Sequence, residues 1–284
     1  MNKIGIIGVG VIGKLFVDRL SKTGHSVVVY DIDKSQEKYA VEKGASVAES
    51  PQELTEQVDV VIMSLPGTPE VESTMEGDEG VLEALREGQL VIDVTTTLPE
   101  TSVVTESMCN ERGAVFVEAP ITGAAPREGW HMMVGGTEEN YKITSDLLDD
   151  LCDDHIRIGK VGKATVFKLA LQMRYAGHNA LDAEVVEFVR DNGADPQLLN
   201  DFLEMGILKN YFTNDFSQDI EGLGGLAIWH KDIGYARQVA HENTTALPIN
   251  AAVHEAYKAT IRTSEENEGH AATLIKYWRQ LNNY

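Results

Sequence analysis

The chain has 284 residues, enough for one large domain or two ordinary ones, and its 43% hydrophobic content is that of a globular protein. With 45 acidic residues against 24 basic ones the formal net charge is −21, which disfavours nucleic acid or an anionic membrane as a partner; an anionic metabolite would have to be met by a local cluster of cations. No stretch is long and apolar enough to span a membrane, and Met1-Asn-Lys leads straight into a core strand without a signal peptide. Cys109 and Cys152 form neither a disulfide framework nor a metal-ligand spacing, so the cytoplasm is the expected compartment.

The first element is an apolar run, Ile4 to Ile7, which reads as a buried strand. Gly8-x-Gly10-x-x-Gly13 follows at once, and then Ile12, Leu15, Phe16 and Leu20 recur at helical spacing up to a stop at Gly24. A second strand, Ser26 to Tyr30, ends on Asp31. Strand, glycine turn, helix, strand and acid in that order predict a dinucleotide-binding unit. Gly8 permits the tight turn, Gly10 lets the backbone approach a pyrophosphate, and Gly13 lets helix and strand pack closely. Around Val11 and Ile12, unpaired N–H groups at the helix start would hold the phosphate. Asp31 is expected to accept hydrogen bonds from the adenosine ribose and to repel a 2′-phosphate. Ile32 and Asp33 follow it with no Arg nearby, and Lys34 is the one close cation; the expectation is therefore NAD over NADP.

Further along, strand and helix alternate. Lys34 to Gly44 reads as a short helix, and Ser50-Pro51 as a capped helix start. Strands are predicted at Asp59 to Leu65, Gln89 to Thr95, Ala114 to Glu118, Met132 to Val134 and His155 to Ile158, with helices at Pro99 to Arg112 and Thr137 to Leu151. Such alternation implies a mostly parallel sheet with helices on both faces. The character changes at Gly159. Lys163 to Asn192 is a periodic stretch with no Pro, long enough to run from one domain into the next. Beyond it, helices are predicted at Pro196 to Met205, Leu226 to Asn243, Pro248 to Glu265 and His270 to Asn282, with a loop-rich connection from Asn210 to Gly225. The expected organisation is an α/β dinucleotide-binding domain of the Rossmann type at 1–160, and an all-α domain at 161–284 joined to it by the long helix.

Ligands of open α/β sheets sit beyond the carboxyl ends of the strands, at Gly8–Gly13, Leu65–Thr68, Thr95–Thr97 and Ala119–Gly129 in this chain. The Thr95–Thr97 tip could serve ribose and carboxamide groups, or could reflect plain β propensity. The last tip offers Thr122, backbone N–H groups and Arg127 to a small anion, and equally reads as a surface turn. Lys168 lies one to two turns into the long helix among apolar neighbours, so it either snorkels outward or is partly desolvated. Desolvation beside a cationic nicotinamide would lower its pKa and make it a usable proton acceptor. Gln172, four residues on, shares its face. Arg174 could guide an anionic substrate or pair with an acid. His178, His230, His254 and His270 show no metal spacing.

Taken in order, these motifs resemble the β-hydroxyacid dehydrogenases, the group that contains 3-hydroxyisobutyrate, tartronate-semialdehyde and sulfolactaldehyde reductases. The resemblance spans essentially the whole chain. It rests on the glycine turn, Leu65-Pro66, Asp93-Val-Thr-Thr-Thr-Leu-Pro99, Ala119-Pro-Ile-Thr-Gly123 with Met133-Val-Gly-Gly136, Gly159-x-x-Gly162 with Lys168, and Lys231-Asp-Ile. It implies hydride transfer between a nicotinamide cofactor and a small 3-hydroxyacid or related anionic alcohol, with Lys168 as the proton-transfer residue. Thr122 and Gly123 match the family's substrate-binding Ser-Gly, and Thr96 and Lys231 match positions near the cofactor. Leu171 and Gln172 stand where the family usually carries Asn-Asn, the loop pair is Gly123-Ala124 rather than Gly-Gly, and Trp130-His131 replaces smaller residues. These departures point to an unfamiliar substrate. Two other readings share the fold: an imine reductase, against which Lys168 argues, and a non-catalytic dinucleotide-binding module. A homodimer or homotetramer is the expected assembly.

Overall fold

The computed structural model describes residues 2–123, 128–208, 210–213, 225–263 and 273–282. The chain divides into two compact units, Met1–Lys168 and Leu169–Tyr284. The first contains β1 (Lys3–Ile7), α1 (Val11–Leu20), β2 (Ser26–Tyr30), α2 (Lys34–Glu42), β3 (Ser46–Val47), α3 (Pro51–Gln57), β4 (Val60–Met63), α4 (Thr68–Glu76) and α5 (Val81–Ala84). It continues with β5 (Leu90–Asp93), α6 (Pro99–Glu111), β6 (Val115–Glu118), β7 (Ile121–Thr122), β8 (His131–Gly135), α7 (Glu138–Leu151) and β9 (Asp154–Gly159). The long helix α8 (Lys163–Asp191) begins in this unit and ends in the next.

The strands form one sheet in the order β3-β2-β1-β4-β5-β6-β8-β7, with β9 also paired to β8. All pairs through β6 are parallel, while β8 runs antiparallel to β6 and β7. The apolar runs behave as strands buried on both faces should. Ile4, Ile6, Val29, Ile62, Ile92 and Val117 pack with Phe16, Val17 and Leu20 of α1 and Leu147, Leu148 and Leu151 of α7. The alternate residues Ile7, Val28, Val61, Met63, Val91 and Phe116 join Leu54 of α3, Val71 and Met75 of α4 and Cys109 of α6. Period-two alternation thus fills two core layers, each such side chain contributing about 1.5–3 kcal/mol.

Helix starts follow their capping residues. Asp33 accepts from the Ser35 N–H at 2.9 Å, Ser50 from Glu53 at 3.1 Å with Pro51 opening the helix, and Thr137 from Asn140 at 3.0 Å. β3, α4, α5 and β7 were beyond the reach of periodicity. β3 and β7 have two residues each, and α4 starts at Thr68-Pro-Glu directly behind a strand tip that masks its pattern.

The second unit holds the rest of α8 with α9 (Leu198–Asp201), α10 (Asn210–Thr213), α11 (Leu226–Glu242), α12 (Pro248–Thr263) and α13 (Leu274–Leu281). Ala176, Ala180, Ala183 and Val186 form the α8 stripe that meets Trp229 and Ile233 of α11, Tyr257 of α12, and Leu274 and Trp278 of α13. The helix expected at Pro196 to Met205 contracts to the single turn Leu198–Asp201. Asn200 explains the break: its side chain donates to the Ile207 carbonyl at 2.7 Å and accepts from the Ile207 N–H at 2.9 Å, folding the chain back on itself. Glu204 and Gly206 take left-handed backbone angles in that turn. The expected helix beginning at His270 is described only from Leu274, since His270 and the end of the preceding helix at Glu265 lie outside the described residues. The architecture is therefore an α/β unit of the Rossmann type followed by a helical unit.

Candidate active site

Gly8 leaves β1 at φ +91°, and a Cβ there would collide with the Ser64 carbonyl. Gly13 lies so close to the Gly8 carbonyl that a side chain would also clash. At Gly10 the situation is the opposite: nothing lies within 4 Å of a Cβ position, and Gly10 caps α1 with no side-chain hydrogen bond and no acid in the first turn. Val11 is 74% exposed beside it and Ile12 is half-buried. A helix start that has no capping side chain and no acid in its own first turn, and is open at Gly10, fits a phosphate group.

Asp31 sits across this turn. Its Oδ2 accepts from the Val9 N–H at 2.6 Å and its Oδ1 from the Asp33 N–H at 2.8 Å, so the backbone fixes the carboxylate beside the glycine loop. Ile32 is 87% exposed. Lys34, the cation closest in sequence, pairs with Glu37 at 3.0 Å and lies over the Tyr30 ring.

At the next tips, the buried Thr95 hydroxyl accepts from the Leu65 N–H at 3.1 Å, which ties the β4 exit to the β5 exit. Thr97 is also buried and shares a hydrogen bond with Ser102 at 3.1 Å. The flanking threonines therefore do structural work, and Thr96 between them is half-buried. Pro66 is exposed and Leu65 half-buried.

Lys168 is not a snorkelling surface lysine. It is 8% exposed, and its Nζ donates to the Ile121 carbonyl at 3.0 Å. The next residue along, Thr122, is buried and pairs with His131 across β7 and β8; Gly123 lies against the Trp130 ring, which leaves no room for a Cβ. Amine, hydroxyl and glycine are thus brought together at one strand exit. Arg127 and Ala124 lie outside the described residues.

Two carboxylates end adjacent strands beneath this exit, with Asp93 and Glu118 in register. Both are almost fully buried. Burial pushes Asp93 up to about 7, opposed by hydrogen bonds from Thr95 and reinforced by the Glu118 charge. Burial also raises Glu118, against the pull of hydrogen bonds from Thr165, Ala164 and Ser102. Sequence reasoning passed over this pair, although an acid ending each of two neighbouring apolar strands was a signal that could have found it.

In the helical unit, Gln172 is buried and donates from Nε2 to Asp232 Oδ2 at 2.6 Å. Lys231 Nζ lies 3.0 Å from Asp232 Oδ1 as an ion pair lacking hydrogen-bond geometry. Asp232, itself fully buried, was also missed. Arg174 is exposed and belongs to a different setting. Six residues beyond Lys168, it is turned about 240° around α8 from it, and it lines a 400 Å³ groove with Met173, Leu247, Pro248 and Asn250.

Among the described residues no helix is long and apolar enough to cross a membrane. Residues 3–162 match the family model described as the NAD binding domain of 6-phosphogluconate dehydrogenase. Residues 162–278 match that described as NAD-binding of NADP-dependent 3-hydroxyisobutyrate dehydrogenase. The chain is 28% identical over 270 residues to the mitochondrial 3-hydroxyisobutyrate dehydrogenase of Mus musculus, covering 90% of this chain and 81% of the relative. It is 25% identical over 288 residues to 2-(hydroxymethyl)glutarate dehydrogenase of Eubacterium barkeri, covering 98% and 95%. The Mycobacterium tuberculosis 3-hydroxyisobutyrate dehydrogenase, solved with L-serine, shares the fold with a TM-score of 0.84 at 23% identity, over 98% of this chain and 99% of that one. With both halves matched in order, the chain is an NAD(P)-dependent oxidoreductase belonging to the β-hydroxyacid dehydrogenase family.

Proposed function

We propose that the protein interconverts a small 3-hydroxyacid, or a related anionic alcohol, and its semialdehyde or keto form, with Lys168 as general acid and base. The observation that carries this reading is the buried Lys168 amine, held 3.0 Å from the Ile121 carbonyl at the exit that also presents Thr122 and Gly123. An amine placed beside a substrate hydroxyl can take its proton in one direction and return it in the other. A nicotinamide cofactor held at Gly8–Gly13 and Asp31 would supply the hydride chemistry at the alcohol carbon. Lys168 removes the hydroxyl proton in oxidation and gives it back in reduction. Thr122 and the Gly123 backbone hold the acid end of the substrate, while Trp130 covers the glycine and narrows the space beside it. Gln172 is proposed to serve the substrate, and Thr96 and Lys231 the cofactor; Arg174, on another face of α8, is left out of this set.

NAD is the proposed cofactor. Its phosphates would lie on the open helix start at Gly10–Gly13, with Leu65, Pro66, Val11, Ile12 and Ile32 around it and Asp31 at the ribose. The pairing of Lys34 with Glu37 supports this choice, because it withdraws the nearby cation that a 2′-phosphate would need. In domain terms, residues 1–160 would bind the dinucleotide, and residues 161–284 would serve the substrate and assembly. Exposed Phe188, Phe202 and Ile249 favour a homodimer or homotetramer, and the cytoplasm is the proposed compartment.

The test is a panel of 3-hydroxyisobutyrate, 2-(hydroxymethyl)glutarate, their sulfonate analogues and cyclic imines, each with NAD and NADP. Turnover of the hydroxyacids with NAD is expected. Lys168→Ala should lower kcat on the order of 10²–10⁴-fold while NADH binding stays intact. Full activity in that variant would overturn the assignment, and turnover of imines alone would favour the reductase reading.

A further inference from the structure

The helix that carries Lys168 begins without a capping side chain of its own. Gly162 precedes it at φ +89°, and Val161 stands before that. The N–H groups of a first helical turn have no partner within the helix, and the residue just before it normally supplies one. In this chain the partner arrives from 46 residues upstream. Glu118 Oε1 accepts from the Ala164 N–H at 2.9 Å and from the Thr165 N–H at 3.5 Å, and Oε2 accepts from the Thr165 hydroxyl at 2.7 Å.

The carboxylate has little freedom to leave. Glu118 is 1% exposed and Thr165 fully buried, and Glu118 crosses Gly135 so closely that a Cβ on that glycine would strike Oε1. Three residues after Glu118 comes Ile121, whose carbonyl accepts from Lys168; three residues after Thr165 comes Lys168 itself. One short segment of chain, 118–121, therefore holds one turn of helix at two points. The first is the carboxylate on residues 164 and 165, the second the carbonyl on the amine.

We propose that Glu118 is a positioning residue for Lys168: by accepting the donors at the start of α8 it fixes the rotation and height of the turn that presents the amine beside Thr122 and Gly123. This rests on the reading of Lys168 as the proton-transfer residue. A carboxylate tied to backbone N–H groups cannot swing as a side-chain partner can, so the amine and the substrate loop share one rigid anchor. A misplacement of about 1 Å at a reacting group costs roughly 10²-fold in rate. Loosening the anchor should therefore appear in the chemical step and leave binding alone.

Thr165→Val keeps the shape of the side chain and removes the hydroxyl donor, while Thr165→Ser keeps the donor. With 3-hydroxyisobutyrate and NAD, Thr165→Val is expected to lower kcat on the order of 10- to 100-fold, with KM and NADH affinity within about threefold of wild type. Thr165→Ser should restore kcat to within about threefold. Hydrogen exchange of the 162–168 backbone should speed up at least about tenfold in Thr165→Val, with the β1–β6 strands unchanged. A Thr165→Val enzyme with wild-type kcat and unchanged exchange overturns the proposal; so does a loss of kcat matched by an equal loss of NADH binding. Should Thr165→Val melt globally, Glu118→Gln is read by the same measures and decides in the same way. Lys168→Ala separates the two ideas. If it is silent while Thr165→Val is fully active, the positioning role fails and the Lys168 role stands. If Lys168→Ala is itself active, the acid–base reading falls and the positioning role falls with it.

Discussion

In the sheet unit the buried carboxylate Glu118 is met by backbone N–H groups and a hydroxyl, all on one helical turn. In the helical unit the equally buried Asp232 is met by the amide of Gln172 and the amine of Lys231, both at the ends of long side chains. Both acids avoid the cost of an unpartnered buried charge. The difference is stiffness. Backbone donors hold the helix start in place, whereas Gln172 and Lys231 can follow a neighbour that moves. Asp31 belongs with Glu118, since both its oxygens accept backbone N–H groups. On this view the sheet unit supplies fixed geometry and the helical unit supplies adaptable contacts.

The largest stability effect that bears on the comparison is expected at Asp232. Asp232→Ala should cost on the order of 2–4 kcal/mol in urea unfolding, because it takes the acceptor from the buried Gln172 amide and the ion pair from Lys231. Asp232→Asn, which still accepts from Gln172, should recover about half of that. Equal losses in the two variants would mean that the ion pair, and not the amide contact, governs the site.

Asp93 tests the sheet side through pH. Its folded value near 7 stands above the ordinary 3.8, so the folded state holds its proton more tightly. That contribution is fully present below 3.8 and is lost as pH rises through about 7. At roughly 1.4 kcal/mol per pH unit, the span from 3.8 to about 7 amounts to no more than about 4.5 kcal/mol. Thermal unfolding should therefore show a lower Tm at pH 8 than at pH 5.5. Asp93→Asn, which keeps the acceptor for the Thr95 N–H, should flatten most of that slope; Glu118, shifted in the same direction, supplies the remainder. An unchanged slope in Asp93→Asn would show that Asp93 ionises normally.

The smallest effect concerns selectivity. Asp31→Asn keeps an oxygen for the Val9 N–H and loses the charge. The ratio of kcat/KM for NAD over NADP should fall about tenfold, the equivalent of roughly 1.4 kcal/mol. A ratio that does not move would sink the ribose argument.

Most of the sheet unit was legible because its signals are local. The apolar runs of β1, β2, β4 and β5, the Ser50-Pro51 cap and the glycine turn each depend on residues adjacent in sequence. Lys168 could be singled out, but whether it was solvated could not, because the Ile121 carbonyl that meets it lies 47 residues away. The expected helix at Pro196 to Met205 failed for a related reason: its periodicity was genuine, yet Asn200 turns its side chain onto Ile207 and ends the helix after one turn. Arg174 was grouped with Lys168 by nearness in sequence, and helical rotation separates them.

The sequence by itself determined the longer strands and helices of the sheet unit, the glycine turn that opens a helix start, and the acid at the end of β2. Each follows from backbone preferences and side-chain periodicity over a few residues. Only the tertiary structure decided which charges are buried and what meets them: Glu118 with the first turn of α8, Asp93 beside it, and Asp232 with Gln172 and Lys231. The desolvation and the partners of these buried charges depend on groups that the fold brings together from distant parts of the chain, so a local pattern can mark the acids without saying what meets them.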